Sequence, residues 1–170
     1  MPRSDCCPAR LFNSALRLGL APGQPFLVNL AEGQPVTASS VWQNDTTNYG
    51  PALAVDADPN SRWTSDPTGT TNGWLEIDFT KATTFSRVII NEYSSHIQSF
   101  TLDYWNGGVW QTITNGTTIG ESARFDFPPV TGSKLRLNIL NATDATSIWM
   151  FKVQSPPVAA PVLKFGFAGP

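Results

Sequence analysis

The sequence has 170 residues, of which 41% are hydrophobic, 11% are aromatic and 14% are charged. This composition excludes a disordered chain, since disorder requires low hydrophobicity together with high net charge. The formal net charge of −2 at pH 7 gives no electrostatic case for nucleic-acid binding, which requires a basic face.

Residues 1–26 combine basic residues with a short apolar stretch that has a weak helical pattern. Arg17 interrupts that stretch and no convincing small-residue cleavage site follows. We therefore expect a linker or the remnant of a cut-out fragment, and not a standard signal peptide. The adjacent Cys6 and Cys7 cannot connect distant strands, so the core must stand without a disulfide. No apolar run approaches the ~18 residues that a membrane-spanning helix needs.

Residues 27–154 carry strand signals throughout. Phe100, Leu102 and Tyr104 share one face of a predicted strand, because side chains alternate between the two faces of a strand. The same alternation predicts further strands at Trp74–Phe79, Phe85–Glu92, Trp110–Ile113, Ala123–Phe127 and Leu135–Ile139. About eight strands with no long helix between them predict an all-β fold, an antiparallel two-sheet jelly-roll sandwich. Residues 155–170 are rich in proline and small residues and predict a C-terminal linker.

Several phrases occur in one order along the chain: Asn29–Ala31, Val36–Ser40, Ala54–Trp63, Trp74–Phe79, Phe100–Trp105 and Lys134–Asn138. Together they resemble the discoidin family, also called coagulation factor 5/8 type C or galactose-binding-like domains. Within that family, the chain most resembles the carbohydrate-binding modules appended to secreted bacterial glycoside hydrolases such as fucosidases. The resemblance implies a galactose-binding-like jelly roll whose loops bind a ligand at one end of the sandwich.

Asp56, Asp58 and Ser61 are candidate metal ligands at positions i, i+2 and i+5, just before a strand. A tight turn can direct both carboxylates and the hydroxyl at one hard cation, with backbone carbonyls completing the oxygen shell. The alternative is a turn in which the carboxylates only cap backbone amides. The resemblance implies a structural Ca²⁺ at this position, with the carbonyl of Leu53 as a further ligand.

The last predicted strand departs from the family at Met150. Relatives often place a Glu there to complete the calcium site. A main-chain carbonyl of this strand, at Trp149, is the candidate ligand that remains. The site would then carry one charge fewer, and we expect a lower affinity for the cation.

A sugar site needs an aromatic face for stacking and planar polar side chains that hydrogen-bond hydroxyls in pairs. In relatives that bind galactose-like sugars, a His follows the Trp of the aspartate motif, where this chain has Thr64. The family's Arg position falls close to His96, the single His of the sequence, which could equally be an incidental surface residue. Asn91 and Gln98 are both candidates for the family's Asn position.

Two aromatic residues in the polar loop at residues 41–49, Trp42 and Tyr49, are candidates for stacking on a sugar. The alternative is that either ring plugs the end of the barrel. Trp63, Trp74 and Trp110 are instead expected in the core or on a sheet face. The remaining candidate sugar-binding residues are Asn44, Asp66 and Asp144, the last as an acceptor for a sugar hydroxyl.

Enzyme functions are poorly supported by these residues. A single His and no nucleophile motif argue against a Ser-His-Asp triad, and one His with peripheral cysteines argues against zinc. Asp56 and Asp58 fit a metal site or caps better than a glycosidase pair. We expect a non-catalytic module, a lectin of galactose- or fucose-type glycans, within a secreted or cell-surface protein. An adjacent catalytic domain is a candidate partner.

Two alternatives remain from the sequence. The domain could be purely structural and pack against a neighbouring catalytic domain without its own ligand, which the missing His at Thr64 favours. It could also be a membrane or protein adhesion module of the discoidin type. Membrane binding is disfavoured because the loops are polar and no basic ring surrounds them.

Overall fold

The computed structural model of the protein describes residues 27–69 and 72–157. The predicted linker at residues 1–26, and all but the first residues of the linker predicted at 155–170, lie outside the described residues. Within the described part of the chain, no helix is long and apolar enough to span a bilayer.

The described residues form a seven-stranded sheet in which every strand pair is antiparallel. Its order is β2-β7-β3-β6-β4-β5, with β1 beside β3. The strands are β1 (Val36–Ala38), β2 (Trp63–Thr64), β3 (Gly73–Tyr93), β4 (Ile97–Trp105), β5 (Trp110–Gly116), β6 (Ala123–Ala142) and β7 (Ser147–Gln154). One short helix, α1 (Thr46–Tyr49), and the 3₁₀ turns Trp42–Asn44, Pro51–Ala54 and Pro67–Gly69 lie in the loops. The predicted all-β antiparallel fold is confirmed.

Residues 27–69 and 72–157 contain seven strands, where about eight were expected, and β3 and β6 are each continuous where the sequence predicted two strands. β3 has 21 residues and β6 has 20. The polar residues between the predicted strands look like turns in the sequence. In the structure they are irregularities within a ladder that continues on both sides of them.

Both halves of β3 face the same hydrophobic core. Leu75 in the first half and Val88 in the second half are fully buried in one cluster of side chains. The register between β3 and β6 shifts between Asp78 and Thr83, and such irregularities bend a strand. This irregularity lies between the two halves of β3, both of which contribute to the one core.

The tryptophans expected in the core or on a sheet face lie there. Trp63 has no exposed surface, and its Nε1–H donates a hydrogen bond to the carbonyl of Ser40 over 3.0 Å. Trp74 and Trp110 lie on the outer face of the sheet, where the guanidinium carbon of Arg136 is 4.9 Å and 4.3 Å from their ring centroids. These three tryptophans therefore pack in the core and on the sheet, and not in the loops that could form a binding site.

The first and last residues of the sandwich lie next to each other. Asn29 and Gln154 form an antiparallel bridge, and the N–H of Leu30 donates to the carbonyl of Val153 over 2.7 Å. The Oδ1 atom of Asn29 also accepts a hydrogen bond of 3.2 Å from the N–H of Val153. The two ends of the sandwich chain are therefore tied to each other.

Candidate functional site

The loop at residues 41–49 is ordered by Asp45, which caps α1. Its Oδ1 accepts hydrogen bonds of 3.1 Å from the backbone N–H groups of Thr47 and Asn48. Its Oδ2 accepts a further bond of 2.7 Å from the side-chain amide of Asn48. These bonds, with the Asn48 side chain first, hold the pKa of the Asp45 carboxyl below its ordinary value. The cap thus fixes the loop that carries Trp42 and Tyr49.

The residue after α1 must be glycine for steric reasons. A Cβ atom at Gly50 would overlap the carbonyl oxygen of Thr46. The chain therefore turns tightly against the short helix immediately after Tyr49 and leads into the 3₁₀ turn Pro51–Ala54. A larger residue at position 50 would displace the backbone next to Tyr49.

A cavity of about 250 Å³, here called the small cavity, opens between loops at one end of the sandwich. Its lining includes the predicted sugar-binding residues Trp42, Tyr49, Thr64, His96 and Asp144. They come from separate segments that the antiparallel topology brings together. The cavity thus combines aromatic rings, an imidazole, a hydroxyl and a carboxylate.

His96 is held by the loop that follows β6. Its Nδ1 lies 3.2 Å from the carbonyl oxygen of Ala145, and its own carbonyl accepts the N–H of Thr143 over 2.9 Å. A carbonyl oxygen can only accept, so Nδ1 carries the hydrogen of this bond. In the neutral ring Nε2 is then an acceptor, and a sugar hydroxyl is a suitable donor to it.

The turn that carries His96 is anchored by the buried side chain of Glu92, which is 2% exposed. Its Oε1 accepts the N–H of Ile97 over 2.7 Å and its Oε2 accepts the N–H of Gly120 over 3.1 Å. Ser94 and Ser95, between these anchor points, have positive φ angles of 67° and 50°. Glu92 therefore holds a strained turn in place.

Thr64 occupies the position where relatives place a His, and its hydroxyl is engaged inside the protein. Thr64 is 6% exposed, and its Oγ1 lies 2.9 Å from Oγ of Ser147. The two residues are also paired across β2 and β7. Thr64 thus shapes the floor of the small cavity more than it offers a free hydrogen-bonding group.

Arg62 and Tyr93 also line the small cavity, although the sequence did not single them out. The guanidinium carbon of Arg62 lies 4.6 Å from the centroid of Tyr93, 4.9 Å from that of Trp149 and 6.0 Å from that of Tyr49. The Tyr93 and Trp149 rings meet edge to face at 5.5 Å. Among the described residues, the buried Nε of Arg62 has no hydrogen-bond partner and no carboxylate forms an ion pair with Arg62.

Four predicted sugar-binding residues lie outside the small cavity, and three of them, Asn44, Asp66 and Gln98, line neither cavity. Asn44 is exposed, with a positive φ of 58°. Asp66 accepts the N–H and the hydroxyl of Thr68, and the hydroxyl bond lowers the pKa of its carboxyl. Gln98 is exposed on β4. That these residues contact a sugar stays a prediction.

A second and larger cavity, of about 650 Å³, lies next to the small one. The predicted residue Asn91 lines this large cavity, and its Oδ1 is buried without a hydrogen-bond partner among the described residues. Trp149 and Tyr93 also line it. Tyr93 therefore belongs to both cavities.

Oxygen atoms converge at the predicted metal ligands. The hydroxyl oxygen of Ser61 lies 2.8 Å from each carboxylate oxygen of Asp56, and 3.1 Å from the carbonyl oxygens of Leu53 and Asp58. The Asp58 carboxylate instead accepts bonds from both amides of Asn60. Asp58 thus joins this oxygen cluster through its main-chain carbonyl, and the ligation of a cation by its carboxylate stays a prediction.

This cluster consists of hard oxygen donors of the kinds that Ca²⁺ uses. In the described part of the chain, no three His, Cys, Asp or Glu side chains gather at a metal-binding distance. The cluster holds a single side-chain carboxylate, that of Asp56. The donor types fit a calcium ion, and the low charge fits a weak site.

The antiparallel fold, with loops that gather at one end, is that of a galactose-binding-like domain. Residues 35–152 match the F5/8 type C domain, and the chain belongs to this family. Domains of this family are generally non-catalytic.

Among curated proteins, the chain is similar to "Putative alpha-L-fucosidase 1" of Oryza sativa subsp. japonica, with 28% identity over 132 residues. That alignment covers 75% of this chain but 25% of the relative, so the chain spans about a quarter of its length.

Among solved structures, chitosan-binding module 1 of a chitosanase/glucanase from Paenibacillus sp. IK-5 is 26% identical, with a TM-score of 0.67, covering 74% of this chain and 98% of that one. A GH29 fucosidase from Ruminococcus gnavus, in complex with fucose, is 25% identical, with a TM-score of 0.68, covering 75% of this chain and 26% of that one.

Proposed function

We propose that residues 27–157 form a non-catalytic carbohydrate-binding module that holds a sugar in the small cavity. The observation that carries the proposal is the convergence of Trp42, Tyr49, His96 and Asp144 on one cavity. Aromatic rings stack on the apolar face of a pyranose, while an imidazole acceptor and a carboxylate bind its hydroxyls. The similarity to a chitosan-binding module and to a putative alpha-L-fucosidase supports the same function.

The expected ligands are galactose- and fucose-type sugars, and glucosamine oligomers belong in the same test. A volume of about 250 Å³ lies below the range of ~300–1,000 Å³ that encloses drug-sized ligands. The small cavity therefore suits a single sugar ring.

Isothermal titration calorimetry with galactose, fucose and chitosan oligomers, in calcium-containing buffer, tests the proposal. We expect at least one of these sugars to bind. The substitution Trp42→Ala should lower its affinity about fivefold, because stacking contributes about 1 kcal/mol. Trp105→Ala, a matched change on β4 outside both cavities, should leave the affinity unchanged. Absence of heat with every sugar would refute the proposal.

Two observations favour a second function, a structural domain without its own ligand. The hydroxyl of Thr64 is already bonded to Ser147, and Arg62 already fills the aromatic corner beside the small cavity. If no sugar binds, this second function becomes the better account. It would be supported if a neighbouring catalytic domain protected Trp42 and Tyr93 from hydrogen exchange or chemical labelling.

The module is proposed to be non-catalytic. The Nδ1 of His96 is engaged with the Ala145 carbonyl, an arrangement that lacks the carboxylate partner of a catalytic triad. Incubation with nitrophenyl galactoside and nitrophenyl fucoside should release no nitrophenol. Release that His96→Ala abolishes would overturn this part of the proposal.

We also propose a structural Ca²⁺ held by the Asp56 carboxylate, the Ser61 hydroxyl and the carbonyls of Leu53 and Asp58. A main-chain carbonyl at Trp149 is a further proposed ligand. Bound calcium would stabilise the loop before β2, because a ligand that binds only the folded state stabilises it by mass action.

Chelation of a metal-loaded sample should lower the melting temperature. Asp56→Asn should abolish this shift, because it removes the only side-chain carboxylate in the cluster. Asp58→Asn should retain the shift, because Asp58 contributes its carbonyl and its side chain faces Asn60. An unchanged melt after chelation of the loaded wild type would refute the calcium site.

The parent protein is proposed to be a larger secreted or cell-surface glycoside hydrolase or adhesin, since the curated relative is about four times as long as the matched region. An antibody against residues 27–157 should detect a larger polypeptide in the extracellular or surface fraction. Detection in the cell interior alone would contradict this placement.

A further inference from the structure

The small and large cavities are divided by one cluster, here called the divider, which consists of Arg62, Tyr93 and Trp149. Arg62 lines the small cavity, Trp149 lines the large cavity, and Tyr93 lines both. The guanidinium carbon of Arg62 is 4.6 Å and 4.9 Å from the two ring centroids, so the divider is one packed unit. Tyr93 is also 46% exposed, so part of it faces solvent. The two cavities are thus neighbours across a single solvent-facing ring.

The lining of the large cavity has the mixed chemistry of a sugar-binding surface. Trp149 supplies an aromatic ring, and Ala54, Val55 and Phe151 supply apolar surface. Exposed Glu121 and half-buried Lys152 supply groups for hydroxyls at the rim. A cavity of about 650 Å³ is larger than the small one and has room for at least one further sugar ring.

Asn91 gives the large cavity an unusual feature. Its Oδ1 is buried yet has no hydrogen-bond partner among the described residues. Buried polar atoms without partners are rare because each one carries a desolvation cost. Such an atom beside a cavity is a ready acceptor for a ligand hydroxyl.

We infer that the large cavity is a second sugar subsite and that the ligand is an oligosaccharide laid across Tyr93. This inference rests on the proposed function, because it assumes that the small cavity holds the first sugar ring. The solvent-facing Tyr93 ring offers a surface on which the chain passes from one cavity to the other. The module therefore selects a glycan chain of two or more residues over a free monosaccharide.

Titration with matched series tests this: galactose, galactobiose and galactotriose, and glucosamine, chitobiose and chitotriose. We expect the trisaccharide of the binding series to bind about tenfold more tightly than its monosaccharide. Equal affinities would overturn the inference while leaving the proposed function intact. Absence of binding by every member of both series and by fucose would instead refute the proposed function, and the inference with it.

A pair of neighbouring variants locates the extra affinity. Glu121→Trp places a large ring at the rim of the large cavity, and the ratio of trisaccharide to monosaccharide affinity should fall to about one. Ser122→Trp makes the same addition at the next exposed residue, which does not line the cavity, and should preserve the ratio. A preserved ratio in Glu121→Trp would overturn the location of the subsite.

Asn91→Leu provides a second test that does not depend on the rim. Without sugar, its melting temperature should be equal to or above that of the wild type, because the change removes an unpartnered buried amide. With sugar, the trisaccharide affinity should fall severalfold. An unchanged trisaccharide affinity in this folded variant would overturn the role of Asn91 in the subsite.

Discussion

The guanidinium carbon of Arg62 lies 4.6 Å from the centroid of the Tyr93 ring, within the wall that both cavities share. Trp149 completes a corner around the cation, at 4.9 Å from the same carbon. Aromatic faces attract a cation electrostatically and, in the described part of the chain, they take the place of a carboxylate partner. The rings therefore hold the Arg62 guanidinium in place, while its N–H groups form no ion pair with a carboxylate of the described residues.

Substitution of Arg62 should weaken both stability and sugar binding. Arg62→Ala should lower the free energy of unfolding by about 1 kcal/mol, the scale of a cation–π contact, and sugar affinity severalfold. Arg62→Lys should restore little, because a compact ammonium cannot lie against the rings as a planar guanidinium does. Urea unfolding and calorimetry measure the two effects. Arg124→Ala, an exposed arginine on β6, is the control for sugar binding, and full affinity in Arg62→Ala would contradict the role of the divider.

Gly50→Ala should damage the site through the backbone. The added Cβ would overlap the Thr46 carbonyl oxygen, so the chain beside Tyr49 must shift. Overpacking of this kind costs about 1–3 kcal/mol. The matched change Gly108→Ala meets only the Asn106 side chain, at 3.9 Å, and should be tolerated. Thermal melts and sugar titration compare the pair, and equal melting temperatures would show that the turn does not need glycine.

Glu92 should be essential for the turn that carries His96. Glu92→Ala leaves the N–H groups of Ile97 and Gly120 without their acceptors, which should cost about 2 kcal/mol or more. Glu92→Gln retains one carbonyl acceptor and should lose less. Denaturant unfolding ranks the three proteins. A Glu92→Ala variant as stable as Glu92→Gln would mean that water replaces both bonds.

Stability should fall in acid partly through Asp126. Hydrogen bonds from Arg124 and then Arg87 hold the pKa of the Asp126 carboxyl below its ordinary value of 3.8. A pKa lowered by folding stabilises the native state above the unfolded value, and this contribution is lost as the pH falls through the folded value. Asp126→Asn should therefore be less stable than the wild type at pH 7, with a smaller further loss below about pH 4. Unfolding curves across this range test it, and parallel pH profiles would contradict it.

The fold was largely predictable from the sequence because apolar alternation marks strands locally. Phe100 and Leu102 of β4, and Leu75, Ile77 and Phe79 of β3, lie buried as that pattern requires. The continuity of β3 was not predictable, because the polar residues between Asp78 and Phe85 are typical of a turn. In the structure the ladder resumes at Thr83, opposite Gly132, after a local irregularity.

The site was predictable only in part. The family resemblance indicates which loops share one end of the sandwich. It therefore predicted which side chains would meet there, and five of them line the small cavity: Trp42, Tyr49, Thr64, His96 and Asp144. Arg62 was missed because a charged residue before a buried Trp looks like an ordinary solvated side chain. Its contacts with Tyr93 and Trp149 depend on strands far away in the sequence. A local pattern carries no signal for such a cluster.

The antiparallel bridge between Asn29 and Gln154 determines the order in which hydrogen bonds would bear a pulling force on the domain. Tension applied through the flanking backbone would load this pair first and then the bond between Leu30 and Val153, one after the other, as in a zipper. Sequential loading of this kind resists less force than loads shared in shear. Asn29 also lines the large cavity, so a force applied through the flanking backbone would act on the wall of that cavity before it acted on the core.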